Sequence, residues 1–166
     1  MSIAIYPGSF DPVTLGHLNI IKRASQCFEK VIVCVMINSN KQGMFTPEER
    51  VELLRRATER FPNVEVDFSN ELLAAYAKRR KAHVVVKGLR AVSDFEQEVQ
   101  MAVINRKLNP RLETMFLASS EKYTYLSSTI VKEMARYGAD LSDFVPREIV
   151  DDVNARMKQL QERKGN

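Results

Sequence analysis

Short runs of apolar, mostly β-branched residues recur along the chain and predict five buried strands. The run KVIVCVMI is uninterrupted after its first lysine, as is typical of a strand that is buried on both faces of a sheet. HVVVK has the same character, whereas NVEVDF alternates between apolar and polar positions. We predict strands over residues 2–6, 30–37, 63–68, 83–87 and 113–118.

Between these runs, apolar residues recur three or four positions apart, which predicts helices. The clearest helix start is TPEER, where Thr46 is an N-cap, Pro47 takes the first helical position and Glu49 completes a capping box. Five other helices are predicted. The first begins at Leu15 and the second covers 71–80. The third begins at the cap Ser93 and has Phe95, Val99, Ala102 and Val103 on one face; the fourth runs from Ser127 or Ser128 to Gly138, and the last covers about 146–162 before a frayed tail.

The alternation of strands and helices predicts an α/β fold, a doubly wound sheet of five parallel strands with helices on both faces. The 166 residues contain no linker or repeat, so we predict one domain over residues 1–166. Ligands of such sheets bind outside the carboxyl ends of the strands, where the strand order reverses. The loops that follow the strands are therefore the places to look for chemistry.

Composition excludes several classes of protein. No apolar run is long enough to span a membrane and the N-terminus lacks the features of a signal peptide, so we expect a cytoplasmic protein without a membrane partner. Cys27 and Cys34 have no metal-ligand spacing and are interpreted as small buried hydrophobic residues. The net charge of +4 suits nucleic acid or a small polyanion, but the basic run 77–83 is better explained as a helix C-terminus, and we expect no nucleic-acid partner.

The segment PGSFDPVTLGH follows the first predicted strand and combines small residues with a histidine. Gly8 lets a phosphate approach the backbone, and Gly16 and His17 fall in the first turn of a helix, whose free N–H groups bind anions. The spacing matches neither the dinucleotide-binding nor the P-loop fingerprint. From composition alone, His17 is equally well explained as a surface residue of a helix behind a tight loop.

Three further strand-end loops contribute cations and hydroxyl groups. Lys41 follows the second strand, the fourth ends at Lys87 and is followed by Gly88 and Arg90, and SSEKYTYLSST follows the fifth. None of these loops supplies a nucleophile–base pair or a cluster of metal ligands. Together they predict a site that binds a polyphosphate.

Four segments make the chain similar to a known family. TLGH matches the T/H-x-G-H motif of the nucleotidyltransferase superfamily, and YPGSFDPVTLGH, MFTPEER, VKGLRAVSDFE and YLSSTIVKEMAR in this order resemble the bacterial phosphopantetheine adenylyltransferase family from about Ile3 to Pro146. The resemblance implies a Rossmann-like fold and transfer of the adenylyl group of ATP to 4′-phosphopantetheine, giving dephospho-coenzyme A and pyrophosphate. It also implies Mg²⁺ bound mainly through the ATP phosphates, no metal site made by the protein alone, and a homohexamer.

The resemblance also implies roles for individual residues. His17, Lys41, Arg90 and Ser128 would be catalytic, and Ser9, Lys41, Leu73 and Lys87 would bind 4′-phosphopantetheine. The expected ATP-binding residues are Ser9, Phe10, His17, Gly88, Leu89, Arg90, Glu98, Tyr123, Thr124, Tyr125, Leu126, Ser127, Ser128 and Thr129. Lys87 and Gln97 depart from the arginine and tyrosine that are common in the family, which changes a bidentate fork into a point charge at Lys87.

Some interpretations stay open at this level. Asp11 fits a loop-forming residue better than a metal contact, and Asp94 fits a helix start better than a partner of Arg90. The T-x-G-H motif also permits another phosphorylated acceptor, such as nicotinamide mononucleotide or a sugar or glycerol phosphate. A non-catalytic nucleotide-binding module is the alternative from a different class of protein.

Overall fold

The chain folds around one parallel sheet. The computed structural model describes residues 2–38, 40 and 42–165. Its strands are β1 (Ile3–Gly8), β2 (Lys30–Met36), β3 (Val64–Ser69), β4 (Val84–Leu89) and β5 (Glu113–Ala118), in the spatial order β3-β2-β1-β4-β5. All four neighbouring pairs are parallel, which confirms the predicted fold class.

Helices connect the strands. They are α1 (Leu15–Cys27), α2 (Pro47–Thr58), α3 (Leu73–Arg79), α4 (Val92–Leu108), α5 (Ser128–Arg136) and α6 (Val150–Lys164), with 3₁₀ turns at Glu121–Tyr123 and Arg147–Ile149. The capping box predicted at Thr46 and Glu49 is present at the start of α2. Within the described ranges, none of these helices is both long and apolar enough to cross a bilayer.

The two faces of the sheet are covered by different helices. Tyr6 and Val33 belong to the larger core, which contains buried residues of α1, α2, α5 and α6. Ile5 and Ile32, the neighbours of these residues along the strands, belong to the smaller core under α3, and α4 contacts β4, β5 and α3. Successive strand side chains point to opposite faces, so both faces are buried and the sheet is doubly wound.

The central strands separate towards their carboxyl ends. β1 pairs with β4 only at Ala4 and Ile5, yet β1 continues beside β2 through Gly8 and β4 continues beside β5 through Leu89. The predicted ends of these strands at residues 6 and 87 were therefore too early. Pro7 is tolerated because β1 is by then paired on one side only, so a missing N–H breaks no second ladder. The separation opens a cleft where the strand order reverses.

Helix α4 differs from its prediction. It begins at Val92 after the N-cap Ala91, not after a cap at Ser93. Of the apolar residues that share its predicted face, Phe95 is 49% and Val103 is 64% exposed. Apolar periodicity alone does not tell which apolar positions the protein's own sheet covers.

Smaller differences occur elsewhere. Helix α3 is shorter than the predicted 71–80, and α6 begins after a 3₁₀ turn and continues to Lys164, two residues beyond the predicted 146–162. Cys34 is buried as predicted, but Cys27 at the end of α1 is exposed. In the basic run, Arg79 and Arg80 form ion pairs with Glu71 and Glu65, which agrees with the end of a solvated helix.

Candidate active site

A cavity of about 350 Å³ lies where β1 and β4 separate, beside the first turns of α1 and α5. This is the position that the doubly wound topology predicts for a ligand. Most of the predicted site residues line it, namely Ser9, Phe10, His17, Lys87, Gly88, Arg90, Glu98, Tyr123, Leu126, Ser127, Ser128 and Thr129. The structure thus brings together residues from three separate strand-end loops.

Five predicted residues are not among those that line the cavity. Lys41 lies outside the residues that the structure describes, so its position stays a prediction. Leu89, Thr124 and Tyr125 neighbour lining residues in the chain, but they are not part of the wall. Leu73 packs against the smaller core beneath α3.

The loop between β1 and α1 forms the floor of the cavity around Phe10. This residue has a positive φ of 46°, and its buried ring meets the rings of Tyr6 and His17 with centroids 5.3 and 5.0 Å apart. A Cβ atom at Gly8 would lie 3.0 Å from the Phe10 ring. The ring therefore occupies the space that a side chain at Gly8 would need, while Gly8 itself lines the cavity, so the close approach of a phosphate to its backbone stays a prediction.

His17 completes a capping box at the start of α1. The Thr14 hydroxyl oxygen accepts a hydrogen bond from the His17 N–H at 3.2 Å, and the Thr14 N–H donates to His17 Nδ1 at 3.0 Å. Because Nδ1 accepts a hydrogen bond, the proton of the neutral ring is on Nε2. The imidazole lines the cavity, so its single ring N–H is a donor for a ligand there.

The environment of His17 keeps the imidazole neutral. Burial, followed by the positive charges of Arg90 and Lys87, lowers its pKa from 6.5 to about 4. At neutral pH the ring therefore acts as an uncharged hydrogen-bond donor. An alternative role as an ordinary solvent-exposed helix residue does not fit this position.

The two cations of the cavity are paired with carboxylates of α4. Lys87 Nζ lies 3.3 Å from Glu98 Oε1, and Arg90 Nε lies 3.4 Å from Asp94 Oδ2. Arg90 also donates from Nη1 to the Leu126 carbonyl at 2.9 Å. Asp94 is thus a partner of Arg90, which was the less favoured of its two interpretations, and Glu98 faces the predicted phosphate-binding Lys87.

The first turn of α5 is tied to the loop after β1. Ser127 is the N-cap of α5 and accepts a hydrogen bond from the Ile130 N–H at 3.2 Å. The Ser128 hydroxyl donates to the Pro12 carbonyl at 2.8 Å. Both hydroxyl groups belong to the cavity wall. The first N–H groups of α5 have no hydrogen-bond partner within the helix, as at any helix start, and such groups bind anions.

Asp11 is a loop-forming residue. Its buried carboxylate accepts the N–H groups of Met44 and Phe45, both at 2.8 Å, and lies 2.9 Å from Lys132 Nζ and 3.4 Å from Arg50 Nε. These contacts connect the loop after β1 with the segment before α2 and with α5. They confirm the favoured interpretation of Asp11.

The carboxylates near the cavity do not form a metal cage. Among the residues that the structure describes, no group of three or more histidine, cysteine, aspartate or glutamate residues is arranged to bind a metal ion. Asp94 and Glu98 are engaged by Arg90 and Lys87. This arrangement fits a Mg²⁺ ion that is bound mainly by substrate phosphates and water.

Relatives that are about half identical cover nearly the whole chain. A phosphopantetheine adenylyltransferase of Caldanaerobacter subterraneus subsp. tengcongensis is 53% identical over 96% of this chain and 99% of the relative. The enzymes of the same name from Clostridium botulinum and Clostridium perfringens are each 48% identical, over 98% and 96% of this chain and 99% and 98% of theirs. The chain belongs to the phosphopantetheine adenylyltransferase family.

Broader comparisons agree with this membership. Residues 5–134 match the cytidylyltransferase-like family. A Vibrio parahaemolyticus structure described as a nicotinate-nucleotide adenylyltransferase superposes with a TM-score of 0.70 and 20% identity over 95% of both chains. A lipopolysaccharide core biosynthesis protein from Thermoplasma volcanium superposes with a TM-score of 0.53 and 18% sequence identity, over 72% of this chain and 97% of its own. At these identities the two structures show only that this phosphopantetheine adenylyltransferase family member shares their fold.

Five lining residues of this phosphopantetheine adenylyltransferase family member had no individual role assigned from the sequence, although Thr14 begins the TLGH motif and Ser119 begins the SSEKYTYLSST loop: Tyr6, Pro7, Thr14, Ile20 and Ser119. Thr14 could have been found, because it stands three positions before His17 with the spacing of a capping box. Ser119 directly follows β5 and also satisfies the strand-end rule. Ile20 packs against Gly88, where a Cβ atom would lie 3.0 Å from the Ile20 side chain, and no local sequence pattern predicts this contact.

Proposed function

We propose that the protein transfers the adenylyl group of ATP to 4′-phosphopantetheine and releases dephospho-coenzyme A and pyrophosphate. The observation on which this depends is the cavity that gathers the His17 Nε2–H, two cations and two helix N-termini. Relatives named for this activity are about half identical over nearly the whole chain. Such a cavity suits a reaction between two phosphorylated molecules.

The chemistry needs positioning and charge stabilisation more than proton transfer. A phosphate oxygen of 4′-phosphopantetheine forms a bond to the α-phosphorus of ATP, and the bond from that phosphorus to the oxygen of pyrophosphate breaks. The attacking phosphate monoester is already an anion, so no general base is required. Catalysis by alignment and by electrostatic stabilisation of the transition state is the expected solution.

The hydrogen-bond donors and cations of the cavity have distinct places in this scheme. His17 donates from Nε2 to an oxygen of the α-phosphate, where charge builds up in the transition state. Lys87, together with Lys41, binds the acceptor phosphate and offsets its repulsion from ATP. Arg90 and the N–H groups at the start of α5 bind the triphosphate.

A magnesium ion belongs to the same proposal. Bound to the triphosphate, Mg²⁺ would neutralise part of the charge of ATP and of the departing pyrophosphate. The cavity residues allow this, because its two carboxylates already have cationic partners and the phosphates would supply most of the ligands. Chelation is therefore expected to abolish turnover.

The test is pyrophosphate release from ATP with 4′-phosphopantetheine, with and without a chelator. Nicotinamide mononucleotide and glycerol phosphate serve as competing acceptors. His17→Asn is the matched variant, since the Asn side-chain oxygen can still accept the Thr14 N–H while the Nε2–H donor is lost. We expect turnover to fall about 10²- to 10³-fold with little change in ATP affinity. Preference for another acceptor, or full activity of the variant, would contradict the proposal.

A homohexamer in the cytoplasm completes the proposal. Helix α4 exposes five large apolar residues that other copies could cover, namely Phe95, Met101, Val103, Ile104 and Leu108. Light scattering should give six times the chain mass of 19.0 kDa. Val103→Glu should lower the mass, and a monomeric wild-type protein would reject the hexamer without touching the proposed reaction.

A further inference from the structure

The short segment between β2 and α2 is held by charged side chains on both sides. Asp11 accepts the N–H groups of Met44 and Phe45, both at 2.8 Å, and Arg50 Nε donates to the Phe45 carbonyl at 2.8 Å. From the other side, Arg156 Nη1 donates to the Met44 carbonyl, also at 2.8 Å. All backbone polar groups of these two residues are thus bound by side chains.

The same side chains bind one another and the next residue. Glu49 Oε2 accepts the Thr46 N–H at 2.8 Å and lies 3.0 Å from Arg156 Nη1, and the Arg156 guanidinium lies 4.9 Å from the centre of the Phe45 ring. We call residues Asp11, Glu49, Arg50 and Arg156, with the segment 44–46 between them, the charged clamp. It joins the last helix to the loop after β1 through a segment without regular structure.

Gly43 shows how closely the chain passes the clamp. A Cβ atom at this position would lie 1.8 Å from Arg50 Nη2 and 2.8 Å from Asp11 Oδ2. Arg50 also donates to the Ser9 carbonyl at 3.4 Å, so the clamp reaches the cavity wall. The position of residues 43–46 is therefore fixed relative to the active site.

We infer that Arg156 is a positioning residue for the acceptor substrate, acting through this clamp. The inference depends on the proposed function, in which Lys41 binds the phosphate of 4′-phosphopantetheine. Lys41 precedes Met44 by three residues, a stretch that spans at most about 11 Å. Without Arg156 the Met44 carbonyl loses its hydrogen bond, so Met44, to which that stretch is attached, is held less firmly. Arg156 lies beyond residues 5–134, the range that matches the cytidylyltransferase-like family.

The chain offers a matched control for Arg156. Arg56 also joins α2 to α6, through Asp152 at 3.0 and 2.8 Å and through the Glu148 carbonyl, but it does not touch residues 44–46. Arg56→Gln and Arg156→Gln therefore each remove one arginine between the same two helices. Of the two variants, only Arg156→Gln removes a hydrogen bond to residues 44–46, the one that the Met44 carbonyl accepts.

The experiment compares both variants with the wild type in substrate kinetics. For Arg156→Gln we expect the KM for 4′-phosphopantetheine to rise roughly tenfold, because displaced groups bind a substrate less well, while the KM for ATP stays within about twofold. Arg156→Lys should recover part of the loss, since lysine supplies the charge without the fork. Equal effects on both substrates, or the same effect from Arg56→Gln, would overturn the inference.

A second measurement does not depend on activity. Hydrogen–deuterium exchange of a peptide covering residues 42–50 should be roughly tenfold faster in Arg156→Gln and unchanged in Arg56→Gln. Unchanged exchange in Arg156→Gln would show that the clamp does not form and would also overturn the inference. If the wild type shows no activity with 4′-phosphopantetheine, the proposed function fails together with the role of Arg156 in acceptor binding. The exchange data then decide only whether the clamp exists.

Discussion

Protonation of His17 should be one of the causes by which acidification destabilises the folded protein. In the fold, Nδ1 accepts the Thr14 N–H at 3.0 Å, so a proton on Nδ1 would face another donor. Burial, then the charges of Arg90 and Lys87, lower the imidazole pKa from 6.5 to about 4. His17→Asn keeps an oxygen for the Thr14 N–H but does not titrate. The perturbation is therefore a change of pH from 8 to 5, applied to the wild type and to this variant.

The magnitude follows from the two pKa values of the imidazole. In the unfolded chain the ring titrates near 6.5, and in the folded chain near 4. Between these values the unfolded state binds a proton that the folded state does not, so lowering the pH favours unfolding. Linkage between protonation and folding lowers the free energy of unfolding by about 2 kcal/mol at pH 5 and by about 3 kcal/mol below pH 4, and it has no effect above the unfolded pKa.

Urea unfolding at a series of pH values measures this contribution. The free energy of unfolding of the wild type minus that of His17→Asn should fall by about 2 kcal/mol from pH 8 to pH 5, because all other titrating groups are common to both proteins. The protomer concentration must be the same in all samples, since assembly would change the apparent stability.

Two results would refute the reasoning. A difference between the two proteins that does not change with pH would mean that the folded and unfolded imidazoles have the same pKa. An NMR titration of the His17 ring in the folded protein with a midpoint near 6.5 would lead to the same conclusion directly. A ring protonated on Nδ1 at neutral pH would contradict the proposed donor at Nε2.

Three further changes test other parts of the molecule. Lys41→Ala should weaken binding of 4′-phosphopantetheine more than binding of ATP, as measured by calorimetry with each ligand alone; a larger loss for ATP would remove Lys41 from the acceptor site. Gly43→Ala should cost about 1–3 kcal/mol in urea unfolding, because the new methyl group meets the Arg50 guanidinium 1.8 Å away. An unchanged midpoint would mean that this guanidinium moves freely. Tyr76→Phe removes a hydrogen bond of 2.7 Å to Asp67 in the smaller core and should cost about 1 kcal/mol, and a stabilised variant would contradict this.

The element order and the place of the site could be predicted because both depend on local patterns. The run 30–37 contains little besides β-branched and other apolar residues, and a strand with this composition must be buried on both faces. The Thr46 capping box is likewise complete within four residues. Once the sheet is parallel, the carboxyl ends of its strands share one edge. The cavity lies at that edge.

Properties that depend on distant partners could not be predicted in the same way. The true ends of β1 and β4 reflect the separation of two strands that are about 80 residues apart in the chain. The exposed Phe95 and Val103 of α4 have the spacing of buried residues, and their exposure depends on which surfaces the sheet leaves uncovered. Asp11 was correctly assigned to the loop, but its partners Arg50 and Lys132 come from α2 and α5.

The charged groups of the cavity also divide into those that local sequence could assign to the site and those that it could not. Lys87 and Arg90 could be assigned to the site because Lys87 ends the predicted fourth strand and Arg90 follows it, but their carboxylate partners, Glu98 and Asp94, lie on α4. A phosphate that binds Lys87 must therefore compete with the Glu98 carboxylate, and it gains less free energy than it would from an unpaired ammonium group. Among the described residues, no ion pair engages His17, whose neutral imidazole lines the cavity. In the proposed reaction, resting phosphates would therefore bind only moderately, and the His17 donor would serve the atom that gains charge in the transition state.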